Sequence, residues 1–132
     1  MKRSATRKAK SAGSRKLRPM AVTSGFKQYV LDQLEGLGQV TPRAMFGGVG
    51  LYHRDLFFAI LAGDALYLKV DDRTRHDFEA AGMRPFKPYA HRPATLQYYE
   101  VPVGVMEAAP TLVEWARKAA AVASAAQALR GC

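Results

Sequence analysis

The chain has 132 residues, 48% of them hydrophobic and 23% charged, with 20 Lys and Arg against 11 Asp and Glu. That length supports one domain with a modest core. A lone cysteine, Cys132, excludes an internal disulfide framework, and no apolar run approaches the roughly 20 residues of a membrane helix, so a cytoplasmic protein without a membrane role is expected.

The charge is unevenly placed. Residues 1–20 hold eight basic residues, Lys2, Arg3, Arg7, Lys8, Lys10, Arg15, Lys16 and Arg18, and no acid, whereas residues 21–132 hold twelve basic and eleven acidic ones. A segment so poor in large apolar residues cannot offset its ordering entropy, so residues 1–20 read as a disordered basic tail closed by Pro19, ahead of a nearly neutral domain over 21–132. Each cation can neutralise a phosphate and release a counterion, which makes sequence-independent DNA contact one reading of the tail and a solvated tail without a ligand the other. An organellar presequence would share the Arg and Ser content, but the apolar face of an amphipathic helix is missing.

Thr23 or Ser24 can cap a first helix, in which Phe26, Val30, Leu34 and Leu37 recur at helical spacing and which Gly36 and Gly38 end. Pro42 redirects the chain. "GVGLYH" and "LFFAIL" flank His53-Arg54-Asp55 as a hairpin, and Ala62-Gly63-Asp64-Ala65 separates these from "LYLKV", giving a three-strand antiparallel meander. Asp71 or Asp72 can cap a short helix, "RTRHDFEAAG", stopped by Gly82. "RPFKPYA", kept from a central position by Pro85 and Pro88, and "TLQYYEV", ended by Pro102, read as further strands. The last helix is the longest, "EAAPTLVEWARKAAAVASAAQALR", with Leu112, Trp115, Ala116, Ala119, Val122, Ala123, Ala126 and Leu129 at helical spacing. The order α-β-β-β-α-β-β-α predicts an α+β domain with one antiparallel sheet of about five strands and helices packed on it.

Three glycines, Gly47, Gly48 and Gly50, follow Met45 and Phe46. A phosphate loop needs Lys-Ser/Thr and a following helix, and here Val49, Leu51 and Tyr52 lead into a hairpin instead. Backbone geometry is the better account. Gly47-Gly48 would start the strand with a bend or bulge, and Gly50 would leave room for a group packed across it, either Trp115 or a tyrosine.

No constellation for catalysis or metal binding emerges. His53, His76 and His91 lack metal-ligand spacing and read as solvated surface residues, Asp71 and Asp72 read as caps, and Ser24 lacks a nucleophile elbow. The aromatics carry more. Tyr67 alternates with leucines and stands beside Lys69, and Tyr98 and Tyr99 point to opposite faces. An exposed aromatic beside a cation on a sheet can stack a base or a peptide side chain, unless a helix covers that face and the tyrosines are core.

"MFGGVGLY", "LFFAIL", "ALYLKVDD", "FEAAGMRPFKPY", "LQYYEVP" and "LVEWARKAA", in that order from about Phe26 to about Val122, resemble the N-terminal domain of the TfoX/Sxy family, regulators of bacterial natural competence. Met45, Phe46, Gly47, Gly48, Gly50, Leu51 and Tyr52 match its first motif and Leu66, Tyr67, Leu68 and Lys69 its second. Phe86 and Tyr89, then Tyr98, Tyr99, Val101 and Pro102, match the third and fourth. The resemblance implies a secretion-chaperone-like α+β fold, a role in activating competence genes beside the cyclic-AMP receptor protein, and no catalytic residue or cofactor. Together with the aromatic reading it nominates Arg43, Met45, Phe46, Gly47, Gly48, Gly50, Tyr52, Tyr67, Lys69 and Tyr99 as an interaction face.

Three functions are thus expected in order. The first is a non-enzymatic regulatory module that binds another protein, or a second copy of the chain through an edge strand such as "RPFKPY". The second is a nucleic-acid-associated protein that uses the basic tail. The third is a small-ligand binder built on the tyrosine and lysine face.

Overall fold

The computed structural model describes residues 20–45, 47–87 and 95–131. Residues 1–19, which hold the basic tail, lie outside that part, as do Phe46, Tyr89 and His91. The fold is α+β, with one six-stranded antiparallel sheet in the order β1-β2-β3-β4-β6-β5.

Helix α1 (Ser24–Gln33) starts where expected. The Thr23 hydroxyl accepts from the Phe26 N–H at 3.1 Å, filling one of the orphan donors of a helix start. After Gln33 the chain turns through Leu34–Leu37, and Gly38 and Gln39 both adopt positive φ, which reverses it into the sheet.

Strand β1 (Val40–Met45) lies where Pro42 was expected only to redirect the chain. It pairs with β2 (Gly48–His53), placing Pro42 opposite Leu51. Proline cannot donate to a ladder but is tolerated on an edge strand, and β1 is the edge. β3 (Leu56–Ala62) and β4 (Ala65–Lys69) complete a four-strand meander with turns at Arg54-Asp55 and Gly63-Asp64. Arg54 and Gly63 supply the positive φ those turns need.

Helix α2 (Arg75–Ala80) is shorter than its sequence signal. Strand β5 (Pro85–Phe86) is only two residues long and forms the other edge, against β6 (Thr95–Glu100). A short helix α3 (Val103–Met106), unforeseen in the sequence, precedes α4 (Ala109–Gly131). Glycine and two β-branched residues in "VGVM" give it no propensity signal, and packing decides. Tyr29 Oη and Gln33 Nε2 both donate to the Met106 carbonyl, at 3.3 and 2.8 Å, and tie α3 to α1.

The sheet carries two buried clusters. The larger joins Leu51, Phe58, Leu61, Leu66, Leu68 and Tyr99 to Val30 and Leu34 of α1, Phe78 of α2, and Leu112, Ala116, Ala119 and Ala123 of α4. The smaller, Ile60, Ala62, Ala65, Tyr67, Phe86 and Tyr98, contains no helical residue and lies on the opposite face. The helices therefore pack on one side of the sheet. Alanines on α4 leave no bulk between its backbone and β3–β4, so the helix can sit close. Leu129, expected on its buried stripe, is 78% exposed.

A bulge sets which side chains reach which face. The β2–β3 register shifts between Leu51 and Tyr52, so that Leu51 pairs with Ala59 but Tyr52 with Phe57. Simple alternation would put Phe58 and Ile60 on one face. The extra residue sends Phe58 into the helix-side core and leaves Phe57, Ile60 and Ala62 on the other side.

Candidate interaction face

The helix-free side of the sheet is where the nominated residues collect. Arg43, exposed on β1, lies opposite Gly50 and reaches diagonally over Tyr52, its Cζ 4.9 Å from the ring centroid. Tyr52 stacks on Phe57 at 5.2 Å, Phe57 meets Tyr98 at 5.7 Å, and Lys69 Nζ stands 5.0 Å over the Tyr98 ring. A run of cation, three aromatics and cation thus crosses the sheet. Each aromatic pair contributes about 0.5–1.5 kcal/mol and each solvent-facing cation–π contact about 0.5–1 kcal/mol, enough to hold the side chains in one arrangement.

One of the glycines makes room for this run. A Cβ at Gly50 would stand 2.6 Å from Met45 Cε and 3.0 Å from Phe57 Cε1. Gly50 therefore opens a lane on β2 in which Met45 and Phe57 lie beside Tyr52. The occupants of that lane are these two, not Trp115 or a tyrosine. Trp115 is on the helix side, edge-on to Phe78 at 4.8 Å. At Gly48 the closure is by backbone, with a Cβ meeting the Leu61 carbonyl oxygen at 2.5 Å, and Gly47 has φ +80 in the turn before β2. The glycines lead into a strand, and among the described residues no helix N-terminus follows them, so the phosphate-cradle reading finds no support there.

Two nominated tyrosines stand outside the run. Tyr67 faces away from the leucines, as alternation predicts, but it is buried: the Phe86 ring of β5, not a helix, lies 4.9 Å from it. Tyr99 is in the helix-side core, its hydroxyl donating to Glu79 Oε2 at 3.1 Å, and burial raises its pKa with Glu79 adding to the shift. The ring that Lys69 stands over is that of Tyr98. Phe57, missed in the sequence, is the centre of the run. Its place could be found only from the bulge, because period-two counting leaves its face ambiguous.

The titratable groups are structural. Asp71 Oδ1 accepts from the Arg73 and Thr74 N–H groups, both at 3.0 Å, and the Thr74 hydroxyl accepts from the Asp71 N–H at 3.0 Å. This reciprocal turn launches α2, and the backbone hydrogen bond from Thr74 leads the lowering of the Asp71 pKa. His76 is exposed, but His53 is not simply solvated: its Nδ1 hydrogen-bonds the Gly38 carbonyl at 2.9 Å and fastens the β2–β3 turn to the end of α1. Arg54 reinforces the clasp, donating from its N–H to the Gln39 carbonyl at 2.9 Å and from Nε to Gln39 Oε1 at 2.8 Å. Among the described residues no three His, Cys, Asp or Glu side chains come together to hold a metal, and no helix is long and apolar enough to cross a membrane.

Fold and face together define a small α+β domain with helices on one side of a sheet and a cation–aromatic surface on the other. The profile of the TfoX N-terminal domain matches residues 32–123, and the chain belongs to that family. It is also 35% identical over 79 residues to the DNA transformation protein TfoX1 of Aliivibrio fischeri, a match covering 59% of this chain and 38% of that protein. The chain thus aligns with well under half of that relative's length.

Proposed function

We propose that this chain is a non-enzymatic regulatory module of DNA transformation that acts in the cytoplasm by binding another protein through the helix-free side of its sheet. The observation that carries the reading is the Arg43–Tyr52–Phe57–Tyr98–Lys69 run, with Gly50 leaving the room that Phe57 takes up. Stacked aromatics with flanking cations form a rigid, low-entropy contact surface, and Tyr and Arg are enriched among residues that dominate binding energy. Family membership and the name of the Aliivibrio relative support the link to transformation. The partner this reading favours is the cyclic-AMP receptor protein, a transcription regulator. Self-association through an edge is less favoured, since β1 carries Pro42 and β5 is two residues long with Pro85. Co-elution of the purified chain with purified cyclic-AMP receptor protein on a sizing column tests the proposal. Loss of co-elution in Tyr52→Ala supports the face, and separate elution of the wild-type proteins contradicts the partner.

A second reading rests on the eight cations of residues 1–20 beside a domain that is nearly neutral. These add sequence-independent affinity for DNA near the partner. Replacing the eight by Gln should abolish DNA retention, and DNA binding by the wild type should fall steeply with salt.

A further inference from the structure

Of the three large hydrophobic side chains exposed among the described residues, two border the same cleft: Tyr29, 40% exposed, and Val103, 71% exposed. The cleft, about 570 Å³, lies where α1, α3 and the β3–β4 turn meet, and Phe26 and Met83 add to its apolar walls. The hydrogen bonds from Tyr29 and Gln33 to the Met106 carbonyl pin α3 to α1, and the Val101 N–H donates to the Leu66 carbonyl at 2.9 Å. The walls therefore stand in place before anything binds. An aromatic ring and a valine left in water beside a formed cleft mark a contact surface.

Charge decides what the cleft takes. Asp64 and Glu107 are exposed among its lining residues, and no described Lys or Arg lines it or forms an ion pair with either. An exposed ion pair contributes little by itself, so these two acids are too weak to hold a free amine. They can select, by sign, among the segments that the apolar walls hold. The sign is opposite to that of the helix-free side, where Arg43 and Lys69 stand over the aromatics.

We propose that this cleft is a second protein-docking site, for a partner segment that carries a Leu or Phe side chain next to a Lys or Arg. The apolar side chain lies between Tyr29 and Val103, and the cation meets Asp64 or Glu107. The cleft shares no residue with the cation–aromatic run and binds whether or not that side of the sheet does. With both in use, the domain bridges two partners of opposite charge.

Heteronuclear NMR on the full chain, titrated with the capped synthetic peptide Lys-Leu-Phe-Arg-Leu-Lys, tests this. The amide signals of Asp64, Val103 and Glu107 are expected to shift saturably and more than those of the rest of the chain. Affinity should fall several-fold in Val103→Lys, which sets a cation on the apolar wall, and in Asp64→Asn combined with Glu107→Gln. It should hold in Glu114→Gln, which removes an exposed acid of α4 outside the lining. The same spectra show whether each variant is folded. Peptides with Glu in place of the cations, or Ser in place of Leu and Phe, should bind several-fold more weakly, and phenethylamine should not displace the peptide at equal concentration. Equal binding of either control peptide, undiminished binding by Val103→Lys, displacement by phenethylamine, or no saturable shift would overturn the proposal. So would the same signals shifting with protein concentration alone, which would put a second copy of the chain in the cleft.

Discussion

Gly48 and the Leu61 carbonyl oxygen are so close that one added carbon on Gly48 would stand 2.5 Å from it. The obstacle is the backbone of β3, which cannot swing aside as a side chain can. Gly48→Ala should therefore cost about 1–3 kcal/mol, the range for overpacked sites. At Gly50 the nearest atoms are the flexible end of Met45, so Gly50→Ala should cost less, whereas Gly50→Val must also displace Phe57 and should approach the Gly48→Ala value. Urea unfolding of the three variants gives the order directly.

Because the glycine cluster opens a strand, nucleotide or inorganic phosphate should not protect the wild-type chain from heat. A ligand at a hundred times its Kd would stabilise by about 2.7 kcal/mol, a shift a melting curve resolves readily. A raised Tm in the wild type that disappears in Gly50→Val would restore the phosphate reading.

The two large apolar residues Phe58 and Leu129 should behave oppositely. Phe58 is fully buried against the helices, and Phe58→Ala should cost about 3–5 kcal/mol. Leu129 projects from the end of α4, and Leu129→Ala should stay within about 0.5 kcal/mol. Equal losses would mean that the end of α4 is packed against the domain.

Asp71 adds a pH dependence of known sign. Its pKa in the folded chain lies below the ordinary value of 3.8, so the unfolded chain takes up its proton first as pH falls. Its stabilisation is complete at pH values above that unfolded pKa and is lost as pH drops through the folded one. Asp71→Ala should lower stability near neutral pH by about 1 kcal/mol, as loss of a capping side chain does, and should flatten the acid limb of the stability profile. Stability measured from pH 7 down to pH 2 on both proteins tests the sign.

Most of the fold was legible because alternation and turn residues agree: "ALYLK" and the Gly63-Asp64 turn needed no tertiary knowledge. β1 was not, because Pro42 breaks the local signal and only its place at the sheet edge makes a strand there tolerable. α3 was not, because valines and a glycine disfavour helix and tertiary contacts from α1 hold it. Within the candidate face, Lys69 and Tyr52 were read from the sequence but Phe57 was not, because the bulge at Leu51/Tyr52 breaks the period-two count on which strand faces depend. For Tyr67 the sequence leaves exposure and burial open, because the covering ring, Phe86, comes from a strand two positions away in the sheet.

The central claim is that the cation–aromatic side of the sheet binds a protein partner, and titration calorimetry on the full chain with purified cyclic-AMP receptor protein tests it most directly. Arg43 is exposed and Tyr52 half-buried, so Arg43→Glu combined with Tyr52→Ala should leave the fold cooperative with only a small loss in Tm. The account predicts saturable binding by the wild type and a loss of at least about 2 kcal/mol in the double variant, the scale of an interface hot spot. No heat of binding with the wild type, or equal affinity in the double variant, would contradict it.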